Sequence, residues 1–353
     1  MDKQRNSPDM INLMVCPGFC VADNKIIRVN DAAGRLFLSP GMAVEDLITR
    51  GLAEYRSFQQ GCLWLELTLA GKPTGAVVTA MNGFQVFLAD DSRELEQLQV
   101  LALAAQELRT PLSNIMVCAD RIVPEPGNER SADHCSRLHR GTAQLLRIIG
   151  NMSDALRYTE SCRLETRNIT ALMQEIVSRT EPLAEAAGIS FSYAGPQEDI
   201  FTLADEEQLE RAFYNLISNA LKFTPRGGSL RVALAKSGKQ LRLSVEDSGS
   251  GISEGILSNI FSRYLRTPSL EDSRFGLGLG LVLVRAAAMN HGGTVLIDQP
   301  GQGTRVTMTL AITQRSQGLL HSPGLKVDYA GERDHGLLEL SESLPPELYS
   351  PRL

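Results

Sequence analysis

An α+β chain of several domains is predicted by two changes of hydrophobic period and one change of composition. Short apolar runs broken by turn residues fill positions 11–90, and from Ser92 the apolar residues recur every three or four positions. Beyond about residue 160 helical and strand patterns mix, and after Ile312 no period persists. With 353 residues the chain is long enough for two or three domains of ordinary size. The expected division is 1–90, 91–160, 161–312 and a tail, 313–353.

In the first domain, Phe19–Ala22 and Ile26–Val29 flank Asp23-Asn24-Lys25, which reads as a hairpin turn. Asn30–Phe37 reads as a short helix, and Leu63–Ala70, Gly75–Ala80 and Phe84–Ala89 as three further strands. Lys72-Pro73 and Asn82-Gly83 are read as the breaks between them. The order strand, strand, helix, three strands, with Val21-Ala22-Asp23 and Arg28-Val29-Asn30-Asp31-Ala32-Ala33, resembles the opening of a PAS sensor domain. A plain dimerisation domain is the competing reading.

Leu95, Leu98, Ala102, Ala105, Leu108, Leu112, Ile115, Ala119 and Ile122 lie on one helical face, until Pro124 and Pro126-Gly127 stop the run. A second helix begins near Ser131, with Leu138, Leu145, Ile149, Met152 and Leu156 as a heptad stripe. Two such helices joined by a short turn make an antiparallel hairpin. One hairpin alone cannot bury both stripes, so a dimeric four-helix bundle is expected. The tail, with Ser322-Pro323, Pro345-Pro346 and Ser350-Pro351, reads as mostly disordered. Leu337–Leu344 is a weaker candidate for a short docking element.

Composition narrows the function. The net charge of −6 offers no basic stripe for nucleic acid and no polybasic membrane patch. No apolar run reaches the roughly 18–20 residues that span a bilayer, and MDKQRNSPDM lacks the apolar core of a signal peptide. A cytoplasmic protein is expected. The six cysteines are scattered, and Cys16 and Cys20 have no second Cys/His pair to complete a zinc site. Reduced thiols are expected.

Four segments carry chemistry. Asn215, Asn219 and Lys222, spaced four and three, share one helix face, while Leu216, Ile217, Ala220 and Leu221 bury the other faces. Neutral amide oxygens suit Mg²⁺, which prefers hard oxygen ligands, and a lysine beside them can neutralise phosphate. Asp247-Ser248-Gly249-Ser250-Gly251 ends an alternating strand, where an aspartate can accept from an exocyclic amine and glycines admit a flat base. Gly276, Gly278 and Gly280 precede a helix, a place where backbone amides face phosphate. Gly301-Gln302-Gly303-Thr304 leads into what reads as an edge strand. It could place the Thr304 hydroxyl on a phosphate, or be simply a β-turn.

Together these segments resemble the N, G1, G2 and terminal glycine boxes of the GHKL ATPases, and of histidine kinases among them. Ile260-Phe261-Ser262-Arg263-Tyr264 resembles the intervening F box. The resemblance implies an α/β sandwich that binds ATP and Mg²⁺. In it Asn219 would hold Mg²⁺ with Asn215 nearby, and Lys222 would face the phosphates. Asp247 would bind the adenine amine, Gly249 and Gly251 would line the base pocket, and Gly276, Gly278 and Gly280 would flank the triphosphate. Residues 263–275 would form a mobile lid.

Gln106-Glu107-Leu108-Arg109-Thr110-Pro111-Leu112 resembles the H box of the same family, with Gln106 in place of the phosphoacceptor histidine. An imidazole nitrogen can attack a γ-phosphate. An amide nitrogen, whose lone pair is delocalised into its carbonyl, is a poor nucleophile, and Glu107 would have no imidazole to serve as base. His139 is expected about ten residues, or ~15 Å, from the level of Gln106 in the hairpin, too far to replace it. Thr110 matches the position that orients water for dephosphorylation of a response regulator, and reads equally well as a residue before the Pro111 kink. His291 reads as structural.

The expected protein is thus a homodimeric signal transducer of the histidine-kinase family acting on a response-regulator receiver domain. Self-phosphorylation is lost at Gln106, while phosphatase action or phosphorylation of a partner kinase stays open. The alternative is a non-catalytic ATP-binding pseudokinase that docks on an active kinase.

Overall fold

Strand pairing ties the two ends of the chain together. A computed structural model describes residues 11, 16–81, 83–89, 104–106, 108–109, 112–119, 122, 129–160, 162–252, 279–313 and 335–349. In the N-terminal part, β1 (Gly18–Ala22) and β2 (Lys25–Val29) form the expected hairpin, with Asp23 and Asn24 at φ 50° and 61°. This is the two-residue turn whose twist matches the strands. The helix predicted over Asn30–Phe37 is shorter. It forms α1 (Asp31–Gly34), capped by the Asn30 side chain accepting from Ala33 N at 2.9 Å, and Phe37 has already left helical space at φ 64°.

β3 (Ile48–Arg50) and α2 (Leu52–Ser57) follow, then β4 (Cys62–Leu69), β5 (Lys72–Met81) and β6 (Phe84–Ala89). The break expected at Lys72-Pro73 lies one step earlier. Ala70 and Gly71 make the turn at φ 48° and 77°, and Pro73 sits inside β5 opposite Thr68. A proline at the start of a strand withholds only one ladder hydrogen bond.

These five strands lie in the order β2-β1-β6-β5-β4, and β4 does not end the sheet. It pairs antiparallel with β12 (Val295–Asp298) through Val295↔Trp64, Leu296↔Leu63 and Ile297↔Cys62. The sheet then continues through β13 (Thr304–Ala311), β11 (Gln240–Asp247), β10 (Ser229–Ser237) and β8 (Ser190–Ala194). Successive β4 side chains point to opposite faces. Leu63, Leu65 and Leu67 therefore fill the N-terminal core, whereas Cys62 and Trp64 enter the C-terminal core. Polar contacts reinforce the junction: Arg50 Nη1 donates to Met289 O at 2.8 Å and Gln240 Nε2 to Glu54 Oε1 at 3.1 Å.

β13 is an interior strand, paired with both β11 and β12, and not the edge strand its sequence suggested. Alternating polar residues reported one open face of the sheet, which says nothing about which strands flank it.

Helices α4 (Ile169–Ala186), α5 (Glu206–Phe223) and α6 (Leu279–Asn290) cover the inner face, and β7 (Glu165–Asn168) pairs with β9 (Phe201–Ala204) in a small second sheet. The expected hairpin is represented by helical residues within 104–119 and by α3 (Glu129–Glu160). Their stripes divide between two environments. Ala105, Leu112, Met116, Ile149 and Met152 are buried against Leu279, Leu283 and Ala286 of α6. Leu108, Ile115 and Ile122, spaced by sevens, stay 47–52% exposed, and Leu138 and Leu145 stay 37% and 49% exposed.

The tail differs most from expectation. Within it α7 (His335–Glu339) and a 3₁₀ turn (Pro346–Tyr349) pack on α3, α4 and α5. Its composition suggested disorder, but Leu338, Leu340, Leu344 and Tyr349 are buried in cores built by the rest of the chain. A segment too short to build its own core can be ordered by one already formed. The four-helix bundle would need a second chain, and Pro124, Pro126 and Gly127 lie outside the described residues.

Candidate nucleotide site

The strand pattern sets the base end of the site. Leu241, Leu243 and Val245 of β11 point inward, and period two puts Asp247 on the same face, at the strand's end and 8% exposed. One carboxylate oxygen, Oδ1, accepts from Gly249 N at 2.8 Å and from Thr304 N at 3.3 Å. Burial raises the Asp247 pKa above the usual carboxylate range, against the lowering effect of those two amides and with a smaller push from Glu246. A buried acid with a displaced pKa at the mouth of a fold is a mark of a binding position.

Two glycines are required here. A Cβ on Gly249 would lie 2.4 Å from Phe223 O, and one on Gly303, at φ 97°, would lie 1.9 Å from Asp247 O. Gly251 (φ 73°) completes the turn beside Gly303, while Gln299 Nε2 donates to Ile252 O.

Helix α5 supplies the other end. Asp205 caps it, its side chain accepting from Gln208 N at 3.2 Å, and Glu206 and Glu207 in the first turn and Lys222 in the last suit the helix dipole. Thr224-Pro225 ends it, and its C-terminal Phe223 carbonyl abuts the Gly249 turn. The base end and the amide-and-lysine face therefore adjoin.

The predicted residues are placed unequally. Asn219 is half-buried, and its side chain has no hydrogen bond among the described residues, so its amide oxygen is available. Mg²⁺ keeps much of its shell as phosphate and water and so takes few oxygens from protein, of which Asn219 offers one. Asn215 is fully buried and already engaged. Its Nδ2 donates to Arg211 O at 2.9 Å, and its Oδ1 accepts from Arg147 Nη2 at 3.1 Å and Asn151 Nδ2 at 3.4 Å. Lys222 Nζ pairs with Glu342 at 3.2 Å. Gly280 lies against Asn215, at the junction of α5 with α6. Thr304 stands beside Asp247 through its backbone. Glu107, Thr110, Gly276, Gly278, the F box and the lid lie outside the described residues. Gln106 is helical and exposed.

Residues that the sequence reading passed over complete this face. Arg211 binds Asp154 with Nε at 2.8 Å and reaches Glu339 with Nη1, while Arg147 Nη1 lies 3.2 Å from Glu342. The spacing held a signal: 211, 215, 218 and 222 continue one face of α5, and Arg147, Asn151 and Asp154 form a polar stripe on α3.

His291 is structural, as predicted. Its Nε2 accepts from Asp205 N at 2.9 Å, so the proton rests on Nδ1 and is donated to Ala287 O at 2.6 Å. Burial lowers its pKa, against smaller opposing effects of Ala287 O and Asp205. The folded form therefore prefers the neutral ring, and in acid the unfolded chain binds the extra proton. This contribution to stability is complete above the unfolded value of about 6.5 and is lost as pH falls from there through the folded value. Urea midpoints at pH 7.5 and 5.5 are expected to differ more in wild type than in His291→Gln.

The model of the histidine kinase-, DNA gyrase B-, and HSP90-like ATPases matches residues 204–314. This segment is an ATPase domain of that family. The ATPase domain runs from β9 through α5, β10, β11, α6 and β12 to the end of β13. Curated relatives extend the likeness upstream. The histidine protein kinase DivJ of Caulobacter vibrioides is 34% identical over 220 residues, 60% of this chain and 37% of that protein. An uncharacterised sensor-like histidine kinase of Rhizobium meliloti is 30% identical over 264 residues, 69% of this chain and 50% of that protein. The chain thus spans half or less of the length of these relatives. Among solved structures, full-length ShkA in complex with AMPPNP is similar at 24% identity and a TM-score of 0.49, over 62% of this chain and 47% of that one. Among the described residues no helix is long and apolar enough to cross a membrane.

Proposed function

We propose that the chain is a cytoplasmic signal transducer of the histidine-kinase type that binds Mg·ATP and acts on a response-regulator receiver domain without phosphorylating itself. One observation carries the nucleotide half: Asp247 is buried beside the end of the helix that bears Asn219 and Lys222. In this reading Asp247 accepts from the adenine amine, Gly249 and Gly251 admit the base, Lys222 meets phosphate, and Asn219 contributes one oxygen to Mg²⁺.

The N-terminal domain is read as a PAS-like sensor, supported by its order of two strands, a helix, a short strand, a second helix and three strands. The exposed Leu108, Ile115, Ile122, Leu138 and Leu145 support a homodimeric four-helix bundle, since heptad-spaced apolar residues left open on a hairpin match a partner's seam. Gln106 is exposed at the acceptor level of that bundle. A histidine there would present a nucleophile, whereas an amide does not.

The test is incubation of wild type and Gln106→His with γ-labelled ATP. No acid-labile label is expected on wild type, and label is expected on Gln106→His. Acid-labile label on wild type would refute the loss of the acceptor. Nucleotide binding with no transfer by either protein, and none to a regulator or partner kinase, would favour the non-catalytic regulator instead.

A further inference from the structure

We propose that residues 335–349 are a clamp, acting in cis, that closes the phosphate-facing side of α5 and must be displaced before nucleotide can engage Lys222. The proposal rests on reading that side of α5 as the nucleotide site.

The clamp is held by charge. Glu339 is fully buried between Arg211 and Arg147, and Glu342 lies 3.2 Å from both Arg147 Nη1 and Lys222 Nζ. Ser343 Oγ donates to Ser218 O at 2.8 Å and lies 3.2 Å from Ser218 Oγ. From α3, Arg140 and Gln144 donate to Ser341 O at 3.2 and 3.0 Å. Apolar anchors flank these polar contacts: Leu338 packs in the cluster of Leu279 and Leu283, and Leu340, Leu344 and Tyr349 in the main core.

Arg147, Arg211 and Lys222 face Asp154, Glu339 and Glu342, and Asp154 also pairs with Arg157 at 3.0 Å. Buried cations of this kind need anionic partners. Glu342 occupies Lys222 as a phosphate oxygen would, so exchange of the tail for a triphosphate keeps the site neutralised. Although burial alone would raise its pKa, Arg147 and Lys222 hold Glu342 below its ordinary value, which keeps it ionised as an anionic competitor. A cleft of about 860 Å³ runs along the segment, walled by Arg140, Lys222, Arg226, Glu342 and Leu348. Because the clamp touches α3 as well as α5, its release would remove one set of contacts between them, while Arg147 and Asn151 stay on Asn215 and Asp154 stays on Arg211.

The test uses the full chain and fluorescent Mg·ATP analogue binding. Glu342→Gln removes the competing charge and is expected to raise nucleotide affinity about tenfold, the gain when a site closed roughly nine-tenths of the time is opened. A Ser218→Cys/Ser343→Cys pair, with disulfide formation confirmed by thiol titration, is expected to bind at least about tenfold more weakly when oxidised than when reduced. Wild type treated with the same oxidant controls for the native cysteines. Equal affinity of wild type and Glu342→Gln, with equal affinity of the oxidised and reduced pair, would overturn the clamp while leaving the nucleotide site in place. Absence of nucleotide binding by every variant would instead remove the nucleotide reading, and the clamp with it.

Discussion

Gly303→Ala is expected to cost at least about tenfold in nucleotide affinity while leaving the fold intact. The added Cβ would lie 1.9 Å from Asp247 O, 2.8 Å from Asp247 C and 3.1 Å from Ser248 Cα. All three are backbone atoms, so no side-chain rotation relieves the clash. Alanine at φ 97° adds conformational strain, of order 1–3 kcal/mol for such outlying backbone. The easiest relief is to move the Gly303-Thr304 turn away from β11, which takes the Thr304 amide from Asp247 and tilts the carboxylate. A tenfold loss corresponds to only about 1.4 kcal/mol, well within that disturbance. Gly301→Ala is the control. Gly301 has φ 93° but nothing within 4 Å of its Cβ position, so it bears the strain without the collision. Its affinity should stay near wild type. Equal loss in both variants would mean that general loop strain, not displacement of Asp247, is the cause.

Trp64→Ala should destabilise the protein by about 3–5 kcal/mol, the range for removing a large buried aromatic. Trp64 is the sole tryptophan, is fully buried, and stands on β4 opposite Val295 of β12. Its side chain belongs to the C-terminal core although its backbone belongs to the N-terminal domain. The cavity would therefore open where the two halves share a sheet. Urea unfolding followed by far-ultraviolet circular dichroism should show a large drop in midpoint and, in wild type, one transition for both halves. A loss below about 1 kcal/mol, or wild-type unfolding in two separate steps, would show that the β4–β12 junction does not couple them.

How much of this was legible in the sequence depends on the range of the interaction. The β1–β2 hairpin was readable because Asp23-Asn24 dictates a local turn, and α5 because Asp205, its acidic first turn and Pro225 bound an amphipathic run. Asp247 was readable because strand period and a following Gly-Ser-Gly turn fix both its face and its end position. The β4–β12 pairing was not, since Cys62-Leu63-Trp64-Leu65 shows only a strand apolar on both faces, and its partner lies more than two hundred residues away. The seating of the tail was only hinted at, by Leu337–Leu344. Leu338, Leu340 and Leu344 are too sparse to build a core, and their order comes from surfaces that α3, α4 and α5 form first. Asn215 has a partner that its spacing with Asn219 and Lys222 could not show, because Arg147 from a remote helix donates to its oxygen.

Gln106 and the clamp bear on one question, what the ATPase domain does with its nucleotide. In the proposed reading, the exposed amide of Gln106 removes the usual destination within the chain, and Glu342 on Lys222 makes entry of nucleotide conditional. In such a protein nucleotide occupancy would be tied to release of the tail from Lys222 whether or not phosphate is transferred.

The nucleotide site itself is tested most directly by calorimetric titration of the full chain with Mg·ATP, taken to millimolar nucleotide, for wild type and Asp247→Asn. The substitution keeps the shape of the side chain but can set an amide donor against the adenine amine, a mismatch of the kind buried polar sites reject strongly. Wild type is predicted to bind, and Asp247→Asn to bind at least about tenfold more weakly with an unchanged unfolding midpoint. Wild-type affinity in Asp247→Asn, or no binding heat from either protein, would contradict the account.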